Sequence, residues 1–167
     1  MRITLDTTAL QRTGKEIAEI YNRQVDTVYR ICFSFMKNTS DTEDMVQETF
    51  LRLISSGVGF VSEEHEKAWL IVTASNLCRD TLKKWWRKTE DIDDPSLGLH
   101  QPPFEIDGVL DAILKLPADQ KTAVYMYYYE GYSTSDIASY LDCPHATVRS
   151  RLARARKTLK RKLGGDF

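Results

Sequence analysis

Three groups of side chains in this chain have the types and spacing to do something beyond packing. The first runs from His145 to Leu163, where eight bases (Arg149, Arg151, Arg154, Arg156, Arg161, Lys157, Lys160, Lys162) occur with no acid. Between them Val148, Leu152, Ala155, Leu159 and Leu163 recur at steps of three and four, so the spacing predicts a helix with one packing face and one positive face. Pro144 pre-sets a helical φ at its start and places His145, Ala146 and Thr147 in the first turn, with Arg149, Ser150, Ala153 and Arg154 exposed one turn later. An Arg on a guanine edge discriminates by about 1–3 kcal/mol, whereas one on phosphate adds affinity without sequence preference. The second group is Asn76, Arg79, Asp80, Lys83, Lys84 and Arg87, interleaved with Trp85 and Trp86. At helical spacing these form a stripe of amides and charges suited to unstacked bases and a nucleic-acid backbone. The third is the acidic set Asp44, Gln47 and Glu48. It repels DNA, so a protein partner is its natural use.

Catalysis finds no support. His65-Glu66 is followed by no second His at metalloprotease spacing, no glycine-rich phosphate loop is present, and the cysteines show no His partner. Cys32, Cys78 and Cys143 are odd in number and far apart, which fits neither a disulfide framework nor a zinc site and predicts reduced, mostly buried thiols. No metal or cofactor is expected.

The elements that must hold these groups are helices; no strand pattern is present. Residues 1–14 read as an N-terminal arm. From about Lys15 the apolar series Ile17, Ile20, Tyr21, Val25, Val28, Cys32, Phe35 and Met36 marks a helix ending near Lys37 and Asn38. Ser40 and Glu43 have the spacing of a capping box. They open a second helix whose inner side is expected to carry Met45, Val46, Thr49, Phe50, Leu53 and Ile54. Residues 55–59 (SSGVG) break it. Ser62 offers a cap, with Glu63 and Glu64 at the positive end of a third helix that runs to about Lys88, with Ala68, Trp69, Val72, Leu82 and Trp86 among its apolar positions.

From Thr89 to Gly108 six acids meet no base, and Pro95, Gly98, Pro102 and Pro103 argue against regular structure. Residues 89–105 therefore read as an acidic linker. Helix returns over 106–116, with Val109, Leu110, Ile113 and Leu114 inward, and again over 118–130 up to Gly131. The tyrosine-rich run 125–129 reads as core and rim packing. Ser133 with Asp136 caps a short helix, a turn follows at 142–144, and the basic helix completes a helix-turn-helix, whose second helix enters the major groove.

With 42% hydrophobic and 28% charged residues the chain has the composition of a soluble folded protein. No apolar run approaches the ~18 residues of a membrane span, and residues 1–6 lack a signal-peptide core, so a cytoplasmic protein with no membrane insertion is expected. The net charge of −1 is low for a DNA-binding protein. Its segregation into acidic and basic stretches predicts local phosphate contact with weak, salt-sensitive binding by the free chain.

Three stretches carry a family resemblance. Residues 42–53 (TEDMVQETFLRL), residues 69–76 (WLIVTASN) with Asp80, and the span from Leu116-Pro117 through Arg156 resemble, in order and spacing, the extracytoplasmic-function (group 4) sigma factors of bacterial RNA polymerase. The resemblance implies an all-α fold of two small helical domains, sigma region 2 over 15–88 and sigma region 4 over 106–167, joined by the acidic linker. It implies an initiation factor, not an enzyme, that binds core RNA polymerase, directs it to −35 and −10 promoter elements and helps melt the promoter. Asp44, Gln47 and Glu48 would face the β′ coiled coil, and region 4 the β flap. Asn76 and Asp80, with the loop 55–64, would capture an unstacked −10 base, flanked by Arg79, Lys83, Lys84 and Arg87. Arg149, Ser150, Ala153 and Arg154, with His145, Thr147 and Arg151 on the same helix, would address the −35 element, with Thr134 and Ser135 near its phosphates. An anti-sigma factor is a further implied partner. Asp142 stands where the family has a turn glycine, and Ala153 is small where some relatives place an aromatic, so the −35 preference does not carry over. Two readings compete: a stand-alone helix-turn-helix regulator on duplex operator DNA, and a helical adaptor that binds only protein.

Overall fold

The computed structural model describes residues 12–88 and 106–163, and the residues described are helical apart from short connections. The predicted linker and all but the last residues of the predicted arm lie outside them. Helix α1 spans Gly14–Met36; Thr13 caps it by accepting from the Glu16 amide at 3.2 Å, and Lys37 ends it in the left-handed region at φ 65°. Helix α2 spans Thr39–Ser56. Its cap is Asn38, which accepts from the Asp41 amide at 2.9 Å, rather than the expected Ser40 with Glu43. The left-handed turn at Lys37 brings an extended Asn38 directly onto the new helix, so Ser40 already lies inside the first turn.

Helix α3 spans Glu63–Lys88, and Ser62 accepts from the His65 amide at 3.1 Å as expected. The three helices pack on one another around Val28, Ile31, Cys32, Val46, Phe50, Leu53, Ala68, Leu70, Ile71, Ala74 and Cys78, all buried. Cys32, Cys78 and the half-buried Cys143 are free thiols. Three inward expectations fail. Ile54 is 57% exposed, Tyr21 is 44% exposed, and Trp86 projects from the end of α3 into solvent. Tyr21 still meets the Phe50 ring of α2, Ile54 falls on the outward face with Gln47 and Leu51, and Trp86 lies in the last turn of α3; periodicity does not show how far a neighbouring helix covers a face.

The second domain opens with α4, Gly108–Leu114, capped by Asp107, whose Oδ1 accepts from the Leu110 amide at 2.7 Å. Leu110 and Ile113 are buried, but Val109, expected inward, is exposed. Helix α5, Ala118–Val124, follows Pro117 and passes into a π-turn over Tyr125–Tyr129, closed by the Glu130 amide on the Tyr125 carbonyl at 3.1 Å. The single helix expected over 118–130 is thus widened in its last turn. Tyr125 and Met126 are buried and the remaining tyrosines half-buried, as core and rim packing requires. Gly131 takes φ 78°, a conformation open to glycine at little cost.

Helix α6, Thr134–Tyr140, is capped by Ser133, which accepts from the Asp136 amide at 3.0 Å. The turn after it closes with the Cys143 amide on the Ala138 carbonyl at 3.1 Å and with Asp142 at φ 51°. This six-to-one closure around a left-handed residue is a Schellman turn. Helix α7, His145–Leu163, buries Val148, Leu152, Ala155 and Leu159 against α5, α6 and α4. The side chain of Leu163 is outside the described set.

The two domains share a seam formed by α1 and α3 against α4, α5 and α6. There Lys121 donates to the Ser34 carbonyl and lies 5.2 Å from the Phe35 ring. Lys67 pairs with Glu130 at 3.2 Å, Tyr132 donates to the Glu64 carbonyl at 2.7 Å, and the His65 and Tyr140 rings stack at 6.0 Å.

Candidate nucleic-acid and protein-docking surfaces

The packing of Val148, Leu152, Ala155 and Leu159 rotates the rest of α7 outward. Arg149, Ser150, Ala153 and Arg154 are all exposed and share one face, as the register requires. His145 is also exposed, and its Nε2 lies 2.6 Å from Thr134 Oγ1, which ties the first turn of α7 to the first turn of α6. Ser135 is exposed beside Thr134, and Thr147 and Arg151 are half-buried. Both helix starts therefore present hydroxyl or imidazole groups at one edge of the basic face, where backbone amides and the positive ends of two dipoles favour phosphate. Arg154 is not wholly free: its Nη2 lies 3.9 Å from Asp119 Oδ2. Arg156 is turned away from this face. Its Nε donates to Tyr128 Oη at 2.7 Å, and that hydrogen bond raises its already high pKa.

On α3 the stripe Asn76, Asp80, Lys83, Lys84 and Arg87 is exposed. Arg79 is half-buried, and its Nη2 donates to Asn76 Oδ1 at 2.7 Å. Burial first, and the like charge of Arg151 on α7 second, hold the Arg79 guanidinium below its usual pKa. The two candidate DNA-reading helices therefore come close enough at this point for their charges to oppose each other.

The connection between α2 and α3 is braced from a place the sequence did not single out. Arg12, expected in the loose arm, donates to the Val58 carbonyl and sits 4.9 Å over the Phe60 ring. Phe60 in turn packs edgewise on His65 at 5.4 Å and Trp69 at 5.8 Å. This clamp presents Val61 at the loop tip, 91% exposed. At the base of the loop Glu66 is buried; it accepts from Arg23 through both oxygens at 2.8 Å and from Gln24 at 3.0 Å. Burial alone would raise the Glu66 pKa, but the hydrogen bonds and charge of Arg23 with Gln24 outweigh it and hold the carboxyl below the usual range.

Asp44, Gln47 and Glu48 are exposed on one face of α2, which continues through Leu51 (56% exposed) to Ile54. Tyr21 of α1 lies alongside, its ring 4.8 Å from Phe50. The candidate protein-docking face is thus acidic at one end and apolar at the other. Leu51 was legible in principle, since it follows Gln47 and Glu48 at helical spacing. Among the described residues no group of three or more potential metal ligands is found, and no helix is long and apolar enough to cross a membrane.

Two adjoining helical domains, one with an acidic docking face and a basic stripe, the other with a helix-turn-helix, match two family models in order. The model for sigma-70 region 2 matches residues 20–88, and that for sigma-70, region 4, matches residues 106–159. The chain is 34% identical to the ECF RNA polymerase sigma-E factor of Haemophilus influenzae over 142 residues, covering 74% of this chain and 75% of that protein. It is 31% identical to the ECF RNA polymerase sigma factor EcfG of Rhodopseudomonas palustris over 144 residues, covering 81% and 78%. The chain belongs to the extracytoplasmic-function sigma factors of RNA polymerase. Its fold is that of the sigma factor RpoE of Bartonella quintana, solved in complex with the anti-sigma factor NepR, at a TM-score of 0.72 and 23% identity over 92% of this chain and 99% of that one. CnrH, solved in complex with the cytosolic domain of CnrY, is similar at a TM-score of 0.64 and 19% identity over 98% and 97%.

Proposed function

We propose that this protein is a transcription initiation factor that binds core RNA polymerase in the cytoplasm, directs it to a two-element promoter and opens the upstream edge of the bubble. Residues 15–88 form the unit for polymerase and the −10 element, and residues 106–167 the unit for the −35 element and the β flap. Residues 1–14 serve as an arm and 89–105 as the acidic connection. Asp44, Gln47 and Glu48 meet the β′ coiled coil, with Leu51 and Ile54 giving the face its apolar end. The loop held by Arg12 and Phe60, with Asn76 and Asp80, captures an unstacked base of the −10 element. Arg79, Lys83, Lys84 and Arg87 hold the adjoining backbone. On α7, Arg149, Ser150, Ala153 and Arg154 address −35 base edges, while His145, Thr147, Arg151, Thr134 and Ser135 border the phosphates.

No bond is made or broken by the protein itself. Unstacking a base costs a few kcal/mol, and a pocket that holds the flipped base offsets this. An anti-sigma factor that covers the polymerase-facing surfaces is the regulator suggested by the sigma factor RpoE, solved with one. The observation that carries the reading is the pair of exposed basic faces, on α3 and α7, within a chain whose net charge is −1. Each can contact DNA locally, and the sum predicts weak binding until polymerase holds the chain in place. A stand-alone regulator would bind its operator tightly without polymerase.

The test is reconstituted transcription with core polymerase and a promoter mapped from cells overproducing the protein. Promoter-dependent product that disappears with Arg149→Ala and Arg154→Ala supports the reading. Absence of both core binding and promoter-dependent product overturns it.

A further inference from the structure

Trp86 is 79% exposed at the C-terminal end of α3. A tryptophan can bury about 150–250 Å² of surface, so such exposure leaves a large apolar payload unused. Its surroundings narrow what could cover it. On a helix it shares a face with Arg79 and Lys83, at i+7 and i+3 spacing, and so continues the stripe that begins at Asn76. From Thr81 to Lys88 the helix carries four bases and no acid. Trp85 is 39% exposed and already contacts other groups.

A flat ring within residues 81–88, where every charge is positive, suits a polyanion that itself presents apolar surface. Duplex nucleic acid has both properties: phosphates for Lys83 and Arg87, and sugar and groove-edge surface for the indole. An acidic peptide would satisfy the cations and leave the ring in water.

The position on DNA follows from helix geometry. At 1.5 Å per residue the rise from Asn76 to Trp86 is about 15 Å. That matches about four base pairs at ~3.4 Å each. Helix α3 ends toward the connection to the second domain, whose α7 addresses the upstream element, so its C-terminus points upstream.

We propose that Trp86 is an additional promoter contact, packing its ring on the duplex about four base pairs upstream of the base addressed by Asn76 and Asp80. This rests on the function proposed above. The contact is apolar, so it slows dissociation of the open complex without adding an ionic contact. Covering part of the ring against deoxyribose and groove edges corresponds to roughly tenfold in complex lifetime, about 1.4 kcal/mol.

The experiment measures open-complex lifetime for holoenzyme, made with core polymerase and the full chain, on fork-junction promoter DNA over a range of salt. Trp86→Ala is expected to shorten the lifetime about tenfold with an unchanged salt slope, and Trp86→Phe to restore most of it. Lys83→Ala is expected to reduce the slope by about one. On a template whose duplex stops short of about four base pairs upstream of the captured base, Trp86→Ala and wild type should coincide. Melting temperature and core affinity should match wild type, because the ring is exposed. Equal lifetimes on the long template, or a defect that persists on the trimmed one, would overturn the contact and leave the initiation function standing. A wild-type holoenzyme that forms no promoter complex would overturn both.

Discussion

The Lys121 ammonium donates to the Ser34 carbonyl, joining α5 to α1 across the seam between the domains, with the Phe35 ring 5.2 Å from the nitrogen. No ion pair is found for Lys121 among the described residues. Burial first, and the charge of Lys37 second, bring its pKa down to about 8. The folded value lies below the unfolded one, so the unfolded chain holds the proton more tightly between about 8 and 10.5. The cost of burying the charge is therefore full below about pH 8 and shrinks as pH rises through that window. Stability should climb from pH 8 to about 9.5, before the tyrosines begin to ionise in the unfolded chain at ~10. Lys121→Met should raise stability at pH 7 by about 2 kcal/mol, allowing for the lost hydrogen bond, and should flatten this climb. Urea melts of both proteins at pH 7 and 9.5 decide the matter; an unchanged slope in the variant would show that Lys121 is not its source.

Glu66 gives the opposite pH signature. Its carboxylate is buried and held by Arg23 and Gln24, and its pKa lies below the usual range. A depressed carboxyl contributes stability above its unfolded pKa and loses it as pH falls through the folded value. Glu66→Gln should cost about 2 kcal/mol at neutral pH, less than a fully buried pair because Arg23 is partly solvated. The gap between variant and wild type should begin to narrow as pH falls below the unfolded value of about 4.3 and go on narrowing toward the folded one. Thermal melts at pH 7, 5 and 3.5 measure it, and a gap that stays constant with pH would rule out the ionic account.

How far the sequence reaches depends on how local each feature is. Ser62, Ser133 and Gly131 act on amides or dihedrals a few positions away, so their roles follow from spacing alone. The basic face of α7 was legible because five apolar residues fix its register. Ile54 and Trp86 fit an apolar pattern too, yet Ile54 falls on the outward face with Gln47 and Leu51, and Trp86 lies in the last turn of α3. The seam has no local signature, since Lys121 and Ser34 are 87 positions apart. The grip of Arg12 on Val58, across 46 positions, is invisible for the same reason. Burial of Arg79 near Arg151 likewise depends on how the domains meet, which no stripe of charges reveals.

Asp142 occupies the left-handed position of the helix-turn-helix at φ 51°. Asp adopts this region more readily than most residues but less readily than Gly. Asp142→Gly should therefore stabilise the second domain by about 0.5–1 kcal/mol, whereas Asp142→Val should destabilise it by more than about 1 kcal/mol. Because the turn sets the angle between α6 and α7, the valine variant should also weaken −35 recognition. Chemical denaturation of the full chain tests the first statement; a glycine variant less stable than wild type would mean that the Asp142 side chain contributes more than its backbone strain costs.

Asp119 and Arg154 form an exposed pair at 3.9 Å, on the face of α7 proposed to read the −35 element. A solvent-exposed pair at this distance contributes about 0–1 kcal/mol to folding, so its loss should barely move the melting temperature. For DNA binding the same carboxylate acts as a competitor for the guanidinium and adds negative charge beside the phosphates. Asp119→Ala should raise the affinity of holoenzyme for a −35 duplex about two- to threefold at low salt, with the gain fading as salt screens the site. Two contributions are separable. If the carboxylate acts by occupying Arg154, the gain should vanish in an Arg154→Ala background; if it acts only by repelling phosphate, the gain should be the same in both. Competition is the expected result, since Arg154 Nη2 already lies 3.9 Å from Asp119 Oδ2. Fluorescence anisotropy on the four proteins completes the cycle, and an equal gain in both backgrounds would remove Arg154 from the set of base-reading residues held back by an intramolecular partner.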